Sequence, residues 1–362
     1  MTMSQKHTIF LFILLLFIIT RAQQGSVPSE FPVVPLPLGG PLAAKSSEIS
    51  GLAWYGDRLI ILPQYPDKEK NSLFFIKRTG VEKSIDNLNQ IPLAGDGVSV
   101  NFNNRVVKGM PASVEWELIP ERIAVDFNGL FNTIGGGYEG FESIAFIDSL
   151  TFLTIECKEG ENTFAWIIRG QMSPDASHLV LEPSTLKKIQ PQAHLRNFSD
   201  EALVCYRNEV YTFYEANGQN VNPHPVVHHF NSQLQPLGVI PFTTLEYRLT
   251  DATAVDEQGR FWVANYLWAK ERDKLNPAED VLITRYGRGK THQKNPAIER
   301  LVEFQIYKNK IDRTDRPPLQ LQLLRDDSRN WEGIVRLPGR GFLLATDRFP
   351  KTILAFIPFP NL

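Results

Sequence analysis

Cysteine is nearly missing. Cys157 and Cys205 are the only two among 362 residues, so no disulfide framework supports the fold, and an oxidising compartment permits one bridge at most. The repeat described below puts these two cysteines at opposite ends of neighbouring strands. An excess of either charge is missing too. Lys and Arg number 38 against 40 Asp and Glu, a net of −2, which excludes a protein built to coat nucleic acid, because neutralising phosphates needs a basic surplus or stripe. There is no Gly-x-Ser-x-Gly elbow, no His-Glu-x-x-His, and no Gly-rich phosphate loop ending in Lys-Ser/Thr. The run Arg285-Tyr-Gly-Arg-Gly-Lys290 lacks that loop's spacing.

Long apolar runs are also scarce. The longest, Ile9 to Ile19, is too short to cross a bilayer as a helix, which takes about 20 residues. With Lys6 and His7 before it and Thr20-Arg21-Ala22 after it, the run has the layout of a secretory signal peptide cleaved after Ala22. The expectation is an exported chain, secreted or periplasmic, with residues 23–362 forming a single domain and no later membrane span. Asn197-Phe-Ser199 is a glycosylation sequon in a eukaryotic setting.

What the chain does have is a 43% hydrophobic fraction with 23 Phe, 10 Tyr, 25 Pro and 24 Gly. Strand-formers combined with turn-makers point to an all-β fold. Five stretches repeat one pattern: an acid, a small or apolar strand, a tight turn, an apolar strand, and a second polar residue. They start at Glu48, Glu142, Glu201, Asp251 and Glu332, and end at Gln64, Glu156, Glu215, Asn265 and Asp347. Further strands follow most of these hairpins. Four antiparallel strands repeated about an axis make a β-propeller, here with five blades. The segment Phe31 to Leu38 is expected to supply the last blade's missing strand. A sixth, degenerate blade between Val81 and Gly140 is the alternative.

In a propeller the innermost strands begin beside the axis at one face. The spacing therefore predicts two concentric polar rings there, because two strands and a turn return the chain to its starting height. Five crowded carboxylates raise one another's pKa. They call for protons, for basic partners such as Arg58, Arg329 or Arg348, or for a cation. Oxygen-only ligands without His or Cys favour Ca²⁺ over zinc, so Glu48, Glu142, Glu201, Asp251 and Glu332 are the candidate metal ligands. Glu156, Glu215 and Asp347 are candidate general bases, and His224, following a loop of the same face, is another. Arg348 and Lys351 lie just past the last hairpin. Arg285 and Arg288 lie in an insertion between Tyr266 and Ile298 that carries seven Lys or Arg against four acids. These four suit an anionic substrate. Gly135-Gly-Gly137 lies in another loop of that face.

Several short motifs resemble the exported "esterase-like activity of phytase" family. They are Glu48-Ile-Ser-Gly-Leu-Ala53, Glu139-Gly-Phe-Glu-Ser-Ile-Ala145, Thr250-Asp-Ala-Thr-Ala254, Asn330-Trp-Glu-Gly-Ile334 and Thr346-Asp-Arg-Phe-Pro-Lys-Thr-Ile-Leu354. That resemblance implies a propeller and phosphoester or ester hydrolysis. The acid-to-acid hairpin is also similar to calcium-activated apyrases, which implies five blades and an axial Ca²⁺. The resulting expectation is a metal-dependent hydrolase of phosphate esters or related esters acting on a small anionic or ester substrate. The alternatives are a non-catalytic binding propeller with a structural ion and a lactonase-like ester hydrolase.

Overall fold

Each repeated stretch folds as a hairpin because its apolar residues are cut by residues that accept left-handed backbone. Between Tyr206 and Glu209, which pair directly, the two loop residues Arg207 and Asn208 both have positive φ, 50° and 61°. That is the turn whose twist matches the strands it joins. The computed structural model describes residues 28–44, 47–89, 117–324 and 328–359. The expected signal segment lies outside them, as do residues 90–116, where part of the alternative sixth blade falls. No helix among the described residues is long and apolar enough to cross a membrane.

The strands form five antiparallel units. The first comprises Ile49–Tyr55, Arg58–Pro63, Ser72–Lys77 and Glu121–Asp126, and the second Tyr138–Ile147, Leu150–Glu159, Asn162–Met172 and His178–Ile189. These two are joined at their outer edges, where His178–Val180 pairs in parallel with Ala124–Asp126. The third is Asp200–Tyr206, Glu209–Tyr214, Val226–Asn231 and Pro236–Pro241. The fourth has Arg248–Ala252, Arg260–Leu267 and Ile298–Tyr307, with Lys310–Arg313 and Leu319–Leu321 sharing its outer edge. The fifth is Trp331–Leu337, Gly341–Thr346 and Leu354–Pro358.

Successive inner strands pack against one another in a closed circuit, and the fifth returns to the first. This is the propeller arrangement expected of the repeat. The apolar core follows the same plan, with one cluster at each joint between neighbouring units. Between the fifth and first units, for example, Val335, Leu343 and Phe356 meet Ile49, Leu59 and Ile61. Ring closure uses the expected N-terminal strand: Val34–Leu36 pairs antiparallel with Leu354–Phe356. Just before it, Glu30–Phe31 pairs in parallel with Gln320–Leu321 of the fourth unit. Cys157 and Cys205 are not bridged.

Candidate active site

Every inner strand carries a β-bulge at the same height. The unpaired residue is Ser50, Glu142, Glu201, Thr250 and Glu332 in turn, as read from the register breaks in the five hairpins. A bulge re-aims a side chain. On the second strand, one residue past the partner of the residue before each bulge, lie Gln64, Glu156, Glu215, Tyr266 and Asp347. This register corrects the rings expected from spacing. Glu142, Glu201 and Glu332 occupy bulges, whereas Glu48 stands two residues before its bulge and Asp251 one residue after. In the outer set Tyr266 holds the position assigned to Asn265.

Asp251 has a different job. The residues that follow the other bulges are Gly51, Ser143, Ala202 and Gly333, all small, because the inner strands converge there: a Cβ on Gly333 would approach Leu52 Cγ to 2.8 Å. The Asp251 side chain is buried at this level, where Oδ2 accepts the Ile334 amide at 2.7 Å and the carboxylate also accepts the amides of Ala252 and Leu52. It ties the fourth, fifth and first inner strands together. Asn265 is likewise structural, donating to the carbonyls of Glu246 and Arg248 and accepting from Arg300 Nε.

The polar residues at the mouth link each unit to the next. Gln64 Nε2 donates to Glu142 Oε1 at 3.3 Å, and Glu156 shares a hydrogen bond with Ser199. Arg248 Nε sits 2.7 Å from Glu215 Oε1 and 3.1 Å from Glu271 Oε2. The Tyr266 hydroxyl donates to Glu332 Oε1 at 2.8 Å, and Arg348 Nη1 donates to Glu48 Oε1 at 2.9 Å. All five joints are crossed, by four kinds of link, the arginine–carboxylate pair occurring twice. Of the arginines expected to neutralise the acids, only Arg348 does so; Arg58 pairs with Asp57 and Arg329 with Glu299. The cation among the acids is Arg248, its side chain 12% exposed and lying over the Phe198 ring at 4.5 Å, and nothing in the repeat pattern marked it.

Six carboxyl groups gathered around the Arg248 guanidinium have their pKa values raised by burial, by one another's charge, or by both. Burial and the charges of Glu156 and Glu332 keep Glu142 well above the ordinary carboxyl range. Burial and Glu215 do the same for Glu201. Burial raises Glu215 as well, opposed by Arg248 and by a hydrogen bond from Glu201. Glu332 is pushed up to about 7, first by burial and then by the charge of Asp347. Burial also raises Glu156 and Asp347; in Asp347 this is opposed by hydrogen bonds from the Phe349 amide and Asn330 Nδ2. Glu332 and Asp347 are the more open members of the group. Among the described residues no three acidic, His or Cys side chains converge on a point as metal ligands would.

Aromatic rings flank the mouth on two sides. Tyr65 meets Tyr138 edge-to-face at 6.1 Å, with the Tyr138 hydroxyl donating to Asp67. Across from them, Trp268 lies against Phe349, also at 6.1 Å. The remaining expected residues are scattered. His224 is exposed in the loop before Val226. Lys351 is fastened through its carbonyl, which accepts from Thr346 Oγ1. Arg285 is exposed and paired with Asp315, while Arg288 lines a cavity beside the outer strands of the fourth unit. The insertion turns outward there because Asp280 caps the helix Val281–Tyr286 and Leu282 is buried against the third and fourth units. Of this insertion's basic residues, Lys274 lies over Phe198 at 4.2 Å and Lys270 over Trp268 at 5.3 Å.

No protein-family model and no curated protein matches the chain, so the family resemblance of its short motifs is not shown. Among solved structures, it is similar to a GH130-family glycoside hydrolase that targets β-1,2 mannosidic linkages (9% identity, TM-score 0.47, covering 94% of this chain and 98% of that one). A glycosyl hydrolase from Bacteroides ovatus matches at 9% identity and TM-score 0.43, covering 93% and 94% of the two chains. The catalytic domain of the Coprinopsis cinerea GH62 α-L-arabinofuranosidase matches at 10% identity and TM-score 0.42, covering 91% and 98%. Likenesses this distant do not bear on activity.

Proposed function

We propose that the protein is a hydrolase that cleaves a neutral, hydroxyl-rich substrate, best a glycoside, by carboxyl acid–base chemistry at the propeller mouth. The observation that carries this reading is the Glu332–Asp347 pair, one carboxyl held near neutrality beside another that accepts two hydrogen bonds. Two titratable groups set apart by their surroundings are the usual basis for dividing acid and base roles. Protonated Glu332 delivers its proton to the leaving oxygen as the C–O bond breaks. Ionised Asp347 takes a proton from the attacking water, so the products gain H and OH. Tyr266, hydrogen-bonded to Glu332, orients the acid.

The substrate class follows from charge. A phosphate ester, the class suggested by the short motifs, would enter a mouth lined by six carboxyl groups whose cation, Arg248, is already engaged by Glu215 and Glu271. A neutral substrate meets no such repulsion. Carboxyl groups accept hydroxyl hydrogen bonds, and the aromatic pairs on either side supply flat apolar faces for a sugar ring.

Turnover of a panel of p-nitrophenyl glycosides, compared with p-nitrophenyl phosphate and acetate, tests this. At least one glycoside is expected to be cleaved, and Glu332→Gln should lower kcat by about 10²–10⁴-fold. Cleavage of the phosphate alone, lost on chelation and restored by Ca²⁺, would replace the proposal with the metal-dependent reading. Binding of a glycan without turnover of any substrate would leave a binding propeller.

A further inference from the structure

The fourth unit contains a second polar cavity, separate from the mouth, that none of the chemistry above uses. It lies between the outward-turned insertion and the unit's outer strands, lined by Leu282, Gly287, Arg288, His292, Arg300 and Gln320 among others. It has room for about one water-sized occupant. Its wall is built rather than incidental. Gln320 Oε1 accepts the Gly289 amide at 2.6 Å and its Nε2 donates to the Gly287 carbonyl at 3.0 Å, fixing the loop that carries Arg288. His292 supplies shape but no free donor, since Nδ1 faces Glu30 at 2.8 Å and Nε2 accepts the Glu299 amide at 3.1 Å.

Arg300 is the informative group. Its side chain is only 3% exposed. Nε donates to Asn265 Oδ1 and Nη1 to Asp280 Oδ2, both at 2.7 Å. The third donor, Nη2, is buried with no partner among the described residues. Asp280 does not serve it, because Oδ2 is taken by Nη1 and Oδ1 accepts the Leu282 amide at 2.9 Å. The Tyr247 ring lies 5.3 Å from the guanidinium carbon and offers a face, not a lone pair. Buried donors are almost always hydrogen-bonded. Cations also outnumber carboxylates in the neighbourhood: Asp280 balances Arg300, Asp315 balances Arg285, and Glu30, held by Thr291 and His292, offsets one of Arg288 and Arg313, leaving one positive charge in surplus.

We infer that this cavity is a binding site for a small monatomic anion, chloride in salt-containing media, received by Arg300 Nη2 and Arg288. A halide accepts from both guanidinium groups at once and neutralises the surplus charge. A sulfate or phosphate is too large to enter whole.

Excess linewidth of the chloride NMR signal, titrated against the full chain, tests the site directly. Expected is a saturable excess width for the wild type, lost in Arg300→Lys. Because Arg300 is buried and its substitution can prevent folding, Arg288→Gln, at a partly exposed position, provides the second reading. It should weaken chloride binding by about tenfold or more, the worth of one charge-assisted contact. Equal excess width in the wild type and Arg288→Gln would overturn the inference, as would a width that never saturates. A single water would then serve Nη2.

Discussion

Asp251 and Glu332 are both acids near the start of an inner strand, yet their surroundings give them opposite roles. Asp251 gathers backbone amides from three inner strands. Asp251→Ala is expected to cost about 1–3 kcal/mol for the buried amides left unsatisfied, measured by urea unfolding, with Asp251→Asn losing less and neither change removing the chemistry of the mouth. Glu332 instead affects the pH dependence of stability. Its pKa of about 7 exceeds the ordinary 4.5, so between these values the folded chain keeps a proton that the unfolded chain has lost. Its contribution to stability is therefore present below pH 4.5 and disappears as pH rises through 7. Unfolding free energy of the wild type should fall between pH 5 and 8, and Glu332→Gln should flatten that slope. If proton delivery by Glu332 limits turnover, activity declines above about pH 7, and a rate still rising at pH 9 would contradict the assigned role. Arg248→Leu strips the buried Glu215 of its cation and is expected to destabilise by about 3–5 kcal/mol, less at pH 5 than at pH 8, because protonating Glu215 relieves the unpaired charge.

At the level of strands, much was legible. Alternating apolar runs cut by turn residues located all five hairpins, and the further strands expected after most of them include the edge strands His178–Ile189 and Pro236–Pro241. The bulges were not legible. A bulge adds one residue without any compositional mark, so counting from acid to acid assigned Asn265 where Tyr266 stands, and Asp251 where Thr250 stands. Three of the five bulged positions are Glu, which made the acid pattern look complete. Arg248 escaped notice for the same reason: its position precedes the bulge, where the other units have Glu48, Gly140, Ser199 and Asn330, and no residue type repeats there. The N-terminal strand was legible because the last unit lacked one. Removing residues up to 38 takes Val33 and Leu36 out of two joint clusters and is expected to cost on the order of 5 kcal/mol with the lost pairing, seen as a large drop in melting temperature.

For the molecule as a whole, the five joints are equivalent in packing and unequal in polar chemistry. Each has its own apolar cluster, so the ring is held evenly, while the mouth carries an amide–carboxyl link, a carboxyl–hydroxyl link, two arginine–carboxylate pairs and a phenol–carboxyl link. The regular packing could be read from repetition. The site could be read only in part, because function resides where the units differ. The pairing of Val34 with Phe356 adds a constraint in time. A chain emerging from a ribosome or a translocation pore cannot complete its ring until Leu354–Phe356 has passed, so Val34–Leu36 waits as an unmated edge until then. Such a protein is committed to finishing its fold late and all at once, in whichever compartment receives the whole chain.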